Sequence, residues 1–175
     1  DMLERGVKKD RLFLVDFPID GKFASPRSRN ETLKELGLQD RFTLLLTQGG
    51  EGVGKVEEYA TALLGMKEKP NVIVICGKNA VLYRRLKRLE ERHPNLRAFG
   101  FVSNMQDFYE CADLAAGKAG FNFIFESIYM QLPVIVNNAI ANERIAARFI
   151  VSNGMGWRAK STKEFTATVK NIMND

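Results

Sequence analysis

The chain has 175 residues, 45% hydrophobic and 27% charged, enough for one domain with a substantial core. No apolar run approaches the length of a membrane span, and the first residues have the pattern of neither a signal peptide nor a transit peptide. A net charge of +5 and a pI of about 9.3 point to an anionic partner (a nucleotide, a nucleic acid or an acidic membrane face) without choosing among them.

The predicted elements alternate. Residues 12–17 (LFLVDF), ended by Pro18, read as a strand, and residues 19–28 as a loop with Gly21, Pro26 and the basic residues Lys22 and Arg27. Residues 30–36 form a short helix stopped by Gly37. A buried strand follows at 42–47 (FTLLLT), then a glycine-rich turn at 48–54 and a helix at 55–66 with Val56, Tyr59, Ala60 and Leu63 on one face. Residues 71–76 (NVIVIC) are a third strand, and 79–92 the longest helix, burying Leu82, Leu86 and Leu89. A fourth strand spans 96–101. Asn104 caps a short helix reaching Cys111, with Asp107 placed to complete a capping box.

The organising stretch is 113–143. It reads as a strand at 114–116, a loop Gly117-Lys118-Ala119-Gly120, a helix at 121–130 carrying Glu126, a strand at 134–136 and a polar loop up to Glu143. Residues 144–152 are helical, and Asn153-Gly154 end them. Ser161 to Glu164 form a capping box for a final helix that turns Phe165, Val169 and Ile172 inward. Strands that are near-continuous apolar runs, separated by helices, mean an α/β fold with a doubly wound parallel sheet of about six strands. No internal repeat, low-complexity segment or linker divides it, so one domain covers 1–175. The chain starts on Asp1 and enters ordered-looking sequence almost at once, which reads as a fragment of a longer two-domain chain.

A unit of strand, glycine loop and helix sets a helix N-terminus, with its free N–H groups, at the C-terminal edge of the sheet, where open α/β sheets bind ligands. The turn Gly49-Gly50-Glu51-Gly52-Val53-Gly54-Lys55 stands at the same edge. It fails as a P-loop, because Val56 stands where a Mg²⁺-holding hydroxyl is needed and no later strand ends in the completing acid. It fails as a dinucleotide fingerprint on glycine spacing. A phosphate cradle of another type and a tight turn without a ligand both remain. Cys76 and Cys111 read as buried reduced thiols of a cytosolic protein, with a disulfide as the alternative. His93, the one histidine, precedes Pro94 at the end of a basic helix and reads as a surface residue. Arg84, Arg88 and Arg92, with Arg85 and Lys87 beside them, form a stripe. It suits either a solvated face or an anionic membrane. No aromatic residues interleave with it, which ranks nucleic acid low.

The order and spacing of several short pieces carry a resemblance. They are Phe17-Pro18-Ile19 with Lys22-Phe23, Gly49 to Gly52, Val72 to Gly77 with Lys78-Asn79, and Gly100-Phe101-Val102 with Asn104-Met105. They continue through Cys111-Ala112-Asp113, Lys118-Ala119-Gly120, Glu126, Leu132-Pro133-Val134-Ile135, and Asn153-Gly154 with Gly156. Over nearly its whole length the chain resembles the C-terminal, donor-binding half of GT-B glycosyltransferases, in the group of monogalactosyldiacylglycerol synthases and processive diacylglycerol glucosyltransferases. The resemblance implies a Rossmann-like half of a GT-B fold. It binds a UDP-sugar as donor substrate, uses no cofactor and no metal, and serves transfer of a hexose to a lipid acceptor of the diacylglycerol type. Backbone at Phe101 and Val102 would pair with uracil. Glu126 would accept from the ribose hydroxyls. The turn Gly49-Gly50-Glu51-Gly52-Val53-Gly54 would face the diphosphate and the donor sugar, Lys118 and the N–H groups of Gly120, Phe121 and Asn122 would hold the diphosphate, and Asn142 and Glu143 would reach the sugar hydroxyls.

The catalytic base and the acceptor site would lie in an N-terminal half, so this chain alone would bind donor without transferring. Its place would be the cytoplasm, or the inner face of the cell membrane through peripheral contact with anionic lipid. The sequence departs from the family where Phe121-Asn122-Phe123 replaces Pro-Gly-Thr and where Ala141-Asn142-Glu143 replaces Gly-Gln-Glu. A second reading rests on these changes: a module whose donor site has degenerated, serving binding or membrane association. A GT-B epimerase, the third reading, needs further acids and histidines that this sequence lacks. Lys118 reads equally as half of a salt bridge, and Glu51 as a solvated loop acid.

Overall fold

A computed structural model describes residues 2–13, 15–47, 49, 55–138 and 143–174. Six parallel strands form one sheet: β1 (Thr43–Thr47), β2 (Asn71–Ile75), β3 (Leu96–Phe99), β4 (Leu114–Lys118), β5 (Val134–Asn138) and β6 (Gly156–Arg158). Their order is β3-β2-β1-β4-β5-β6. The chain winds outward from β1 in one direction, then returns to start β4 on its other side. The crevice between β1 and β4 is therefore the switch point of the sheet.

Strand alternation divides the core. Leu45, Ile73, Ala115 and Val134 point to one face. There they meet Leu33 of α1 (Arg29–Glu35), Phe108 of α4 (Met105–Glu110), Ile124 of α5 (Phe121–Tyr129) and Ile150 of α6 (Arg144–Ser152). Leu44, Leu46, Val72, Val74 and Ile135 point to the other. They meet Leu63 of α2 (Val56–Leu64), Leu86 of α3 (Ala80–Glu90) and Phe165 of α7 (Thr162–Asn174). Each fully buried aliphatic contributes about 1.5–3 kcal/mol, and both faces of the central strands are dry. Phe165 packs its ring on Tyr59 of α2 at 4.6 Å, which fastens the last helix to the first layer it meets. Cys76 and Cys111 are free thiols, each buried in a different one of the two core layers.

Local signals explain the helix starts. Ser28 and Glu31 form a reciprocal capping box on α1, Asn79 accepts from the Leu82 N–H at 2.9 Å on α3, and Ser161 accepts from the Glu164 N–H at 3.2 Å on α7.

Several expectations fail. No strand forms among the described residues of 12–17, where Phe13 and Val15 lie in the open and Phe17 stacks on Phe125 of α5 instead of pairing in the sheet. The sixth strand is β6, whose three residues pair only with β5. The longest helix is α7, with 13 residues against 11 for α3, and Leu89 is only half-buried. Asp107 does not close a capping box with Asn104. Its carboxylate is buried and accepts instead from the Arg27 backbone N–H and guanidinium, each at 3.0 Å, and from the Asn104 amide at 3.0 Å. Burial opposes that charge, but the Arg27 backbone N–H, the Asn104 amide and the Arg27 guanidinium together hold the carboxyl below its ordinary range.

Candidate functional site

The C-terminal ends of β1 and β4 open into a cleft of about 380 Å³. Glycines shape its floor. Gly117 lies so close to the Thr47 carbonyl oxygen that no Cβ fits between the strands, and the register against β5 shifts between Gly117 and Lys118. Gly49 takes φ +75°, and a side chain there would press on the Lys118 methylenes at 3.2 Å. Gly49, two residues past β1, is thus held against Lys118 at the end of β4.

Lys118 and Glu143 meet across this floor. Their Nζ and Oε1 atoms are 3.0 Å apart, and Glu143 is buried. The Gly120 N–H donates to the Lys118 carbonyl at 2.8 Å, and the first helical bond of α5 runs from Ile124 N–H to Gly120. Among the described residues no side chain caps this helix. The amides of Phe121, Asn122 and Phe123, whose residues line the cleft, therefore have no intrahelical acceptor and form its positive end.

The opposite wall is Ile75 at the end of β2, Gly77, Phe101 and Val102 in the loops that leave β2 and β3, and Met105 at the start of α4. Phe101 and Val102 lie past the end of β3, one turn before α4. Between the walls stands Glu126, on α5. The Tyr109 hydroxyl donates to its Oε2 at 3.2 Å. Burial pushes the Glu126 carboxyl above its ordinary 4.5, while the Tyr109 hydrogen bond and the charge of Lys22 pull the other way. Tyr109 itself is buried, and burial, then the Glu126 charge, holds its proton on well above 10.0. The proton of the pair stays on the phenol, so Tyr109 is the donor. Lys22 reaches this end of the cleft from a short 3₁₀ turn, Gly21–Ala24. It is tied to the Ser103 carbonyl at 2.9 Å and to Asp20 at 3.3 Å.

Of the residues singled out from sequence, Gly49, Phe101, Val102, Lys118, Gly120, Phe121, Asn122 and Glu126 line the same cleft. Glu143 joins them through Lys118. Gly50, Glu51, Gly52 and Asn142 lie outside the described residues. Thr47, Ile75, Gly77, Met105 and Tyr109 were not singled out as site residues, and Phe123 was singled out only as a departure from the family pattern. A tyrosine at an apolar-periodic position of a short helix reads as core, and only the fold shows its hydroxyl meeting Glu126. His93 lies away from the cleft, half-buried near Asn71 and Asn95 at the other end of the strands.

A parallel sheet in this order, with a glycine-floored cleft and an uncapped helix end at its switch point, defines a Rossmann-like α/β domain with its cleft where such sheets bind ligands. The chain belongs to the family of the glycosyltransferase family 28 C-terminal domain, whose family model matches residues 43–146. It is 32% identical over 174 residues to the chloroplastic monogalactosyldiacylglycerol synthase of Spinacia oleracea, covering 94% of this chain and 33% of that protein. It is 28% identical over 178 residues to the processive diacylglycerol beta-glucosyltransferase of Bacillus pumilus, covering 99% of this chain and 46% of that one. The chain thus spans about a third to a half of the length of these relatives. Among solved structures, MurG of Acinetobacter baumannii superposes with a TM-score of 0.67 at 18% identity over 93% of this chain and 49% of its own. HepE of Anabaena, solved with UDP-glucose, gives 0.65 at 16% over 98% and 49%. The fold is that of a GT-B glycosyltransferase half. No helix among the described residues is long and apolar enough to cross a membrane.

Proposed function

We propose that this chain is the UDP-sugar-binding half of a hexosyltransferase whose acceptor is a diacylglycerol-type lipid. The observation that carries the reading is Glu126, a half-buried carboxylate fixed on one oxygen by Tyr109 between the aromatic wall and the uncapped start of α5. A ribose presents two neighbouring hydroxyls, and a carboxylate so placed accepts from both. The amides of Phe121 to Phe123 then face the diphosphate, and Lys118 adds a cation beside it. The leaving diphosphate gains charge as the sugar departs, and preorganised N–H groups at a helix end stabilise that charge without a metal or cofactor. The relatives named for galactosyl and glucosyl transfer to diacylglycerol, and the neighbour solved with UDP-glucose, support this donor and acceptor class. The general base and acceptor pocket belong, in this reading, to the other half of the full protein, so the chain alone binds donor and transfers little.

A second reading rests on Phe121. It is 44% exposed at the cleft, stacked on Phe125, which stacks on Phe17. Bulky aromatics at the phosphate-facing turn suit a module that has lost the donor. Thermal unfolding with UDP, GDP, ADP and dTDP, each without metal, separates the two. A ligand at about a hundred times its Kd adds about 2.7 kcal/mol. A shift with UDP alone that Glu126→Ala removes supports the donor half. No shift with any nucleotide at millimolar concentration overturns it and favours the second reading.

A further inference from the structure

Away from the cleft, α6 and the edge strand β6 build a face of a different kind. Arg144 and Arg148, one turn apart on α6, and Arg158 of β6 line one open groove of about 550 Å³ with Ala147, Val151 and Ser152. None of the three arginines has an acidic partner among the described residues, and α6 carries no acid. Apolar side chains stand among them in the open: Ile145 at 74% exposure, Phe149 and Val151 at 45% each, and Trp157 at 41%. The inner side of the same helix, Ala146, Ala147 and Ile150, is spent on the core, so these outer residues have no packing role.

The outer face of α3 differs. There Arg85 pairs with Glu57 at 3.2 Å and Lys87 with Glu90 at 2.8 Å, and Val81 is its one large exposed apolar residue. That is a solvated, partly neutralised face. The α6–β6 face combines guanidinium groups that have no acidic partner among the described residues with exposed aliphatic and indole side chains, the pairing that an anionic bilayer surface satisfies on both counts. A soluble polyanion would leave Ile145 and Val151 wet.

We infer that α6 and β6 form a peripheral membrane-binding surface, with Arg144, Arg148 and Arg158 taking anionic phospholipid headgroups and Ile145, Phe149, Val151 and Trp157 entering the interfacial layer. The surface stands independently of the donor reading. It also begins one residue after Glu143, whose carboxylate holds Lys118 at the cleft floor. Binding through this face would therefore keep the cleft close to the bilayer, where a lipid acceptor lies.

Vesicle flotation of the chain tests this. Vesicles of phosphatidylcholine alone should not carry it, and vesicles with about one phosphatidylglycerol in three should, less so as salt rises. A triple Arg144→Gln, Arg148→Gln, Arg158→Gln variant should bind about a hundredfold more weakly, each charge near the surface being worth roughly a factor of five. Trp157→Ala with Ile145→Ser should weaken binding and leave its salt dependence in place, and Arg84→Gln with Arg88→Gln should change nothing. All these positions are exposed, and an unchanged melting temperature checks that each variant is folded. Three results would each overturn the inference: no binding to the mixed vesicles, binding that the triple variant retains, or equal binding to a DNA oligonucleotide. The UDP-induced thermal shift is read separately, so failure of the donor reading leaves this test intact.

Discussion

At the edge where β1 and β4 begin, Arg29, Asp113, Thr43 and Asn71 satisfy one another and the neighbouring carbonyls. Arg29 donates to Asp113 through two nitrogens at 3.1 and 3.2 Å, to Asp40 at 3.0 Å, and to the Cys111 and Arg41 carbonyls at 2.7 and 2.9 Å. Asp113 also accepts from the Thr43 N–H at 2.7 Å, and Asn71 donates to the Gln39 carbonyl and to the Thr43 hydroxyl. At the edge where the same strands end, a helix stands uncapped, Gly49 holds a left-handed turn, and Glu126 keeps a charge that its burial opposes. Both edges belong to the same two strands. The difference shows that stability is concentrated at one end of the crevice and left incomplete at the other, where a ligand can supply the missing partners.

Variants can break this contrast. Arg29→Ala should lower stability most, by about 2–4 kcal/mol, since several acceptors lose one shared donor. Denaturant unfolding measures it, and the UDP response should survive at temperatures where the variant is folded. Gly117→Ala should cost about 3 kcal/mol, by forcing β1 and β4 apart at the Thr47 carbonyl, and here stability and UDP response should fall together. Glu126→Ala should weaken UDP by about 2 kcal/mol in titration calorimetry while the melting temperature holds or rises. Tyr109→Phe should have the smallest effect, about 1 kcal/mol in binding, from the loss of one positioning hydrogen bond. An equal loss of stability from Glu126→Ala and Arg29→Ala would erase the distinction between the edges.

The pH dependence sharpens it. Because burial raises the Glu126 carboxyl pKa above 4.5, the folded state holds that proton more tightly than the unfolded chain. The associated stability is fully present below 4.5 and is lost as pH rises through the folded pKa. Glu126→Gln removes this loss, so melting curves of variant and parent should diverge in the variant's favour as pH rises above 4.5.

Much of this was legible in the sequence. The runs TLLLT and NVIVI are too apolar for a half-exposed strand and announced a doubly covered sheet. The glycine loop before α5 placed the cleft, because loop and helix are contiguous in the chain. What was not legible depends on contacts distant in sequence. The strand-like run at 12–17 has the right residues but no neighbour to pair with, and β6 has too few buried residues to register as a strand. Asp107 sits where a capping box would use it, yet Arg27, 80 residues away, takes its carboxylate. Tyr109 meets Glu126 only because α4 and α5 cover the same face of the sheet.

The two buried thiols give the molecule a built-in clock on each side of its sheet. Burial raises both to a pKa of about 12, so neither is a nucleophile at neutral pH until its layer opens. Alkylation rates should therefore count opening events, Cys76 for the layer under α2, α3 and α7, and Cys111 for the layer under α1, α4, α5 and α6. Cys76 immediately precedes Gly77 in the cleft wall. A nucleotide seated there should slow its labelling more than that of Cys111, reporting occupancy from inside the core without any added probe.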